Sequence, residues 1–231
     1  KSFCTNAGVS SVLIFTAVII EKDQEKRISA FVVESNTPGI SFSPPEKKMG
    51  WCASDTRSIF FKNMRIPKSA VLGNSKKGFK QFLHTLTSGR ITISALSIGT
   101  AQGAYDKALA YSHEREAFGK SINQFQGIAF KLADMATQIE ASRHLVYHAA
   151  WIKDQGLPVI KEAAMAKLFA SEVAMKVTTE AIQIFGGYGY IKEYDVERFF
   201  RDAKILEIGE GTSEVQRMII SKEILKSFQS V

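Results

Sequence analysis

From Phe79 onward the apolar residues recur at helical spacing, in runs long enough to leave this part of the chain few possible folds. Phe79, Phe82, Leu83 and Leu86 set an i, i+3, i+4, i+7 stripe that continues past Arg90 towards Tyr111. Phe125, Ile128, Ala129, Leu132, Met135, Ala136 and Ile139 mark a second helix. A third opens after Pro158, a residue suited to a first helical turn. It carries Ala166, Phe169, Ala170, Val173, Val177, Ala181 and Ile184, and stops at Gly186-Gly187. A short helix is expected over residues 192–200 and a last one after Thr212. Four long amphipathic helices joined by short loops predict an antiparallel four-helix bundle over residues 74–231. Stripes of this kind are core, and they are assigned to core.

Residues 1–73 have the other periodicity. Val12 to Ile20 is a near-continuous apolar strand, Glu21 to Arg27 a charged turn, and Ile28 to Glu34 the returning strand, with Ala30, Val32 and Glu34 alternating against Phe31 and Val33. Pro38-Gly39 and Pro44-Pro45 mark turns, Ser58 to Phe61 is a further strand, and Pro67 and Gly73 close the region. Short strands with frequent turns predict a small sheet or barrel domain. The fold class is therefore mainly α with a β part.

Thirty Lys and Arg against 23 Asp and Glu leave a net charge of +7, which fits anionic partners (nucleotides, CoA phosphates, nucleic acid or a membrane surface) and equally a generic soluble surface. The basic residues form no clustered stripe, so nucleic acid is not the expected partner. Cys4 and Cys52 have no metal-ligand spacing and read as buried or free thiols in a reducing compartment; no metal site is expected. No stretch reaches the roughly 20 apolar residues of a membrane span. Lys1 opens directly into a strand-like phrase, as expected of a piece of a larger fold.

The chemistry concentrates at one carboxylate, Glu210, held between Gly209 and Gly211. Two glycines allow a sharp turn and close approach of a ligand to the main chain. Thr212 or Ser213 then caps a helix, and Ser213 with Gln216 fits a capping box. Glu210 is thus expected just before a helix N-terminus, beside bare amide donors. A glutamate beside a glycine is more often a solvated turn residue, and the turn alone does not decide between the two readings.

The surrounding string does bear on that choice. Arg201-Asp202-Ala203-Lys204, then Ile208-Gly209-Glu210-Gly211-Thr212-Ser213-Glu214-Val215-Gln216-Arg217, resembles the active-site segment of the acyl-CoA dehydrogenases, flavoenzymes that desaturate acyl-CoA thioesters. The resemblance runs over essentially the whole chain. It implies a partial middle β domain at 1–73, a C-terminal helical domain at 74–231, and FAD as cofactor. Glu210 becomes the general base that takes the α-proton while hydride leaves the β-carbon for the flavin. Arg90 and Gly211 contact the acyl-CoA. Some members carry an acidic residue where this chain has Thr87, and members that move their base to the same helix place it where this chain has Gly89.

Further roles follow from the same resemblance. Phe3, Cys4 and Thr5 lie beside the flavin ring, and Thr212 and Glu214 touch the flavin next to the base. Arg115, Phe118 and Gln126 serve its ADP part, and Gln183, Gly186 and Gly187 reach the flavin of a neighbouring subunit. Implied partners are acyl-CoA, an electron-transfer flavoprotein and further copies of the chain, as dimer or tetramer. The implied location is a bacterial cytoplasm or the mitochondrial matrix. Members begin with segments that would precede Lys1, so this stretch alone is expected to be inactive. An acyl-CoA oxidase, a nucleic-acid-associated relative and a purely structural helical module are the alternatives.

Overall fold

A computed structural model describes residues 1–20, 26–75 and 77–228. The chain divides into two compact units, 1–85 and 86–231. In the first, β1 (Cys4–Thr5) pairs antiparallel with β5 (Thr56–Arg57), β2 (Val12–Ile20) with β3 (Lys26–Glu34), and β4 (Ile40–Phe42) with β6 (Ile59–Phe61). The register of the long hairpin runs from Val12 opposite Glu34 to Ile20 opposite Lys26. The expected charged turn between them lies, at residues 21–25, outside the described residues.

Among the described residues these are three separate two-stranded sheets, not a closed barrel. Closure needs a partner on both edges of every strand. Among the described residues each named strand pairs with one other strand, β3 adding only an isolated bridge from Phe31 to Val71, and the turns around Pro38-Gly39 and Pro44-Pro45 cut the short strands off after two or three residues. Ala7, Leu13, Val33, Ile59 and Ala70 form the core of this unit, with Phe15, Ile40, Phe42 and Ile66 packed on it. Phe15 stacks on Phe31 at 5.6 Å. The apolar run of β2 is therefore only partly used: Leu13 is buried while Val12, Ile14, Val18 and Ile20 are exposed. Cys4 and Cys52 are free thiols.

The remaining chain is helical: α1 (Gly78–Glu114), α2 (Gln126–Asp154), α3 (Ile160–Phe185), α4 (Val196–Ala203) and α5 (Ser213–Phe228). The unit boundary falls within α1. α3 is the central element, packed against α2, α4 and α5. Its buried side is mostly small: Ala163, Ala166, Ala170, Ala174 and Ala181, with Val173 and Val177. Small side chains let neighbouring helices come close, and packing rather than propensity then holds them. α1 joins the same layer: Tyr111 stacks on Phe185 of α3 at 4.1 Å, Gln102 accepts a hydrogen bond from Arg143 of α2 at 3.1 Å, and Gly103 leaves room for the Phe199 ring of α4.

The helix ends follow from backbone chemistry. α1 and α2 are joined through a two-stranded hairpin, β7 (Glu116–Ala117) and β8 (Lys120–Ser121). Its turn residues Phe118 and Gly119 have φ of 51° and 81°, the positive pair that a tight two-residue hairpin turn requires. α3 stops at Gly186, which at φ 60°, ψ −134° occupies a conformation open in practice only to glycine. The short helix lies at Val196–Ala203 rather than 192–200, and a 3-10 turn, Lys204–Glu207, carries it towards Glu210. Among the described residues no helix is long and apolar enough to cross a membrane.

Candidate active site

α4 and its 3-10 extension deliver the chain to Gly209. Arg201 grips Glu197 through two hydrogen bonds of 2.6 and 2.9 Å, and Lys204 bonds Glu207 at 2.6 Å, so charged pairs fasten this approach. The backbone then turns over. Glu210 has φ 55° and Gly211 φ 92°, two left-handed residues in succession before α5. A left-handed glutamate costs about 1–3 kcal/mol and persists only where its surroundings hold it. Those surroundings are specific. The Gly211 carbonyl accepts a hydrogen bond from Lys167 Nζ at 2.8 Å and another from Gln216 Nε2 at 2.8 Å. Gln216 Nε2 also lies 3.3 Å from the Glu210 carbonyl oxygen.

This arrangement decides between the two expected caps and corrects the expected capping box. Thr212 caps α5, its Oγ1 accepting from the Val215 N–H at 3.4 Å. Ser213 Oγ is buried without a hydrogen-bond partner among the described residues. No Ser213–Gln216 box forms, because Gln216 is fully buried and turns its amide inward onto the turn's carbonyls.

The Glu210 side chain is half-buried and lies over α1 at Gly89. A Cβ added at Gly89 would stand 2.6 Å from Glu210 Oε2 and 3.1 Å from Cδ, so the absent side chain is what admits the carboxylate. The next residue, Arg90, is 6% exposed, and its Nε has no hydrogen-bond partner among the described residues. Burial pushes the Arg90 pKa down, and the Glu210 charge opposes that shift. Lys167 of α3 is fully buried, and burial lowers its pKa to about 8 against the opposing pull of Glu207 and Glu210. The Glu210 carboxylate thus interacts electrostatically with two buried cations, on a turn whose Gly211 carbonyl is doubly hydrogen-bonded. Chemically the group offers a carboxylate on a held backbone turn, near a buried guanidinium Nε that has no partner among the described residues.

A second feature lies at the other end of α1. Arg115, Gly186 and Gly187 line one cavity of about 520 Å³ with Tyr111, Phe185 and Tyr188. The Arg115 guanidinium lies 5.7 Å from the centre of the Tyr188 ring. Side chains added at Gly186 or Gly187 would meet nothing within 4 Å, so the space over this main chain is open to a ligand. A guanidinium, aromatic faces and bare glycine backbone suit a pyrophosphate joined to a flat ring.

The structure therefore gathers Glu210, Gly211, Thr212 and Arg90 into one group, and Arg115, Gly186 and Gly187 into another. Gln126, Gln183 and Phe118 are exposed and line neither; Phe118 stands 97% exposed at the hairpin tip. Glu214 is exposed on the first turn of α5, its carboxyl pKa lowered by its own backbone N–H and by Thr212. Phe3, Cys4 and Thr5 belong to the first unit, on and beside β1, with Phe3 75% exposed. Sequence reasoning missed Lys167, Gln216 as a support of the turn, and Gly89 as its floor. The available signal for Lys167 was a lysine at helical spacing from Ala163, Ala170 and Ala174, on the stripe destined for the core.

A strained glutamate turn set between helices of this arrangement defines a class. The chain matches the family model described as "Acyl-CoA dehydrogenase, C-terminal domain" over residues 76–225, and it belongs to that family. It is 52% identical over 227 residues to "Probable acyl-CoA dehydrogenase YngJ" of Bacillus subtilis, covering 98% of this chain and 60% of that protein. It is 48% identical over 226 residues to the short-chain specific acyl-CoA dehydrogenase of Clostridium acetobutylicum, with coverages of 98% and 60%. The structure of butyryl-CoA dehydrogenase from Megasphaera elsdenii superposes with a TM-score of 0.93 at 47% identity, over 97% of this chain and 59% of that one. The chain thus spans about three fifths of the length of these relatives.

Proposed function

We propose that this chain is the base-bearing part of an acyl-CoA dehydrogenase that converts short-chain acyl-CoA thioesters to trans-2-enoyl-CoA. The carrying observation is Glu210, a carboxylate held in a left-handed turn against Gly89 and beside the buried Arg90. The α-proton of a thioester is weakly acidic, so its removal needs a base already in place, and a fixed carboxylate supplies that placement. One Glu210 oxygen accepts the α-proton. Gly89 leaves the approach to it open, and Arg90 keeps a donor for the polar arm of the ligand. The short acyl preference extends to this chain what two of its relatives' names say of them.

FAD, when bound, supplies the acceptor for the hydride that leaves the β-carbon. Arg115 would hold its pyrophosphate, with Gly186 and Gly187 giving main-chain access. From Arg90 to the end of α1 is about 36 Å of helix. That exceeds the reach of one FAD, so the Arg115 cavity would serve the flavin of another copy, and the active form is a homo-oligomer. Phe3, Cys4 and Thr5 would meet the flavin ring, Thr212 and Glu214 the flavin beside the base. Gln126, Gln183 and Phe118 are assigned to the ADP end. The long helices are read as an antiparallel four-helix bundle, with residues 74–231 as the helical domain and 1–73 as part of a middle β domain. Electrons would pass to an electron-transfer flavoprotein, in a bacterial cytoplasm or the mitochondrial matrix. Activity is assigned to a protein of the relatives' length, the present stretch alone being inactive.

Glu210→Gln tests the reading. In the full-length protein it is expected to fold with wild-type stability and to turn over butyryl-CoA, with an artificial acceptor, about 1,000-fold more slowly, within the ~10²–10⁴-fold that a positioned general base contributes. Wild-type turnover in that variant would remove Glu210 as the base.

A further inference from the structure

We propose that Lys167 and Gln216 clamp the Gly211 carbonyl and thereby hold the Glu210 carboxylate in its reacting position, which makes Lys167 a positioning residue for proton abstraction. The inference rests on the reading of Glu210 as the base. Three observations carry it. Gly211 is the second of two left-handed residues, so its carbonyl direction fixes where the turn delivers Glu210. That one oxygen receives two side-chain donors, both at 2.8 Å and from two different helices, α3 and α5. Both donors come from side chains with no exposure to solvent.

A lysine is a costly choice for such a place. An ammonium group has three donors and is strongly hydrated in water; burying it is unfavourable, and an apolar side chain of similar volume commonly packs at no loss. Among the described residues Lys167 makes one hydrogen bond, the one to Gly211. A leucine or methionine at this α3 position would complete the stripe of alanines without that bond. What the lysine adds is directional and electrostatic. A charged donor binds a carbonyl about twice as strongly as a neutral one. It also places a positive charge behind the turn whose side chain is to receive a proton.

The groups that face the ammonium are Arg90 from α1, Glu207 from the 3-10 turn, Glu210 from the loop and Glu214 from α5. Arg90 disfavours its charge; the three carboxylates favour it. Burial outweighs all of them, and the ordinary value of 10.5 falls to about 8. Loss of the proton above that pH turns the charged clamp into a neutral one, and turnover falls with it.

The test uses Lys167→Met and Gln216→Met in the full-length protein, with Glu210→Gln in parallel. The Gln216→Met exchange keeps the length of the side chain while losing its donor. Both clamp variants are expected to fold, to keep KM for butyryl-CoA within about 3-fold, and to lose about 10–100-fold in kcat, the scale of a displaced catalytic group. Wild-type kcat should decline above pH about 8. Lys167→Met should lack that limb, and its crystal structure should show Glu210 out of the left-handed region. A purely structural lysine would change the thermal midpoint and leave the kcat profile alone. The clamp is overturned if kcat stays within about 2-fold in Lys167→Met and Gln216→Met, or if the high-pH limb persists in Lys167→Met. An active Glu210→Gln instead overturns the assignment of the base, whatever the clamp variants do.

Discussion

Replacing Gly89 by alanine separates stability from catalysis. Gly89 lies inside α1, where a glycine costs about 0.5–1 kcal/mol relative to alanine. The substitution should therefore stabilise the helix, and in a chain of this size about 1 kcal/mol moves the thermal midpoint by about 2–4 °C. The same methyl group would stand 2.6 Å from Glu210 Oε2 and 3.1 Å from Cδ. Ordinary contact begins near about 3.5 Å, so the carboxylate must retreat by about 1 Å. The Glu210 backbone is pinned through the Gly211 carbonyl, so the side-chain torsions take up that movement. A shift of about 1 Å in a reacting group is worth roughly 100-fold in rate, or about 2.7 kcal/mol at about 1.36 kcal/mol per tenfold. The expected variant is more stable than its parent and about 100-fold slower, with KM little changed. Gly99→Ala supplies the control: it is in the same helix, and a side chain there would meet nothing within 4 Å, so it should gain the stability and keep the rate. Steady-state kinetics on butyryl-CoA with an artificial acceptor in the full-length protein, beside thermal unfolding of both variants, decide the matter. A Gly89→Ala enzyme with kcat within about 2-fold of its parent would refute the placement of the carboxylate over α1.

Two further expectations concern stability. Gly186→Ala should cost about 1–3 kcal/mol in denaturant unfolding, as backbone strain alone, because the conformation at φ 60°, ψ −134° is glycine's and no neighbour stands within 4 Å of the added methyl. Lys167 should make stability rise with pH: its folded pKa of about 8 lies below its ordinary 10.5, so between those values the unfolded chain binds the extra proton and the folded state gains. Urea midpoints from pH about 7.5 to about 9.5 should climb in the wild type and climb less in Lys167→Met. Tyr111, whose pKa is raised by burial, works in the opposite sense near and above its ordinary 10.0, which is why the window ends below it.

Much of the helical unit was legible because long amphipathic stripes admit one reading. α1, α2 and α3 appear where Phe79, Phe125 and Pro158 announced them, and Gly186 ends α3 where a paired glycine should. The short helix was displaced along the chain because residues 192–195 form a turn instead, leaving Asp195 at the N-cap position. The barrel failed for a different reason. A strand's sequence declares its two faces, but not whether both of its edges find partner strands, and among the described residues each named strand pairs with a single other strand.

The site divides along the same line. Gly209-Glu210-Gly211 states in its own letters that the chain turns sharply, and the coordinates give the left-handed pair. Nothing local states what keeps the turn there. Gly89 meets Glu210 only because α1 passes beneath it, and Lys167 reaches Gly211 only because α3 runs through the middle of the helical layer. A lysine among alanines reads as the edge of a stripe until a carbonyl is found in front of it. Periodicity assigns a residue to a face; it takes the neighbouring element to say whether a charge on that face is an error to be hidden or a donor with an address. The charged residues that fall on a buried stripe are therefore where sequence reasoning about this fold should look first for the supports of the turn proposed to carry the base, and Lys167 is the instance that the packing of α3 makes concrete.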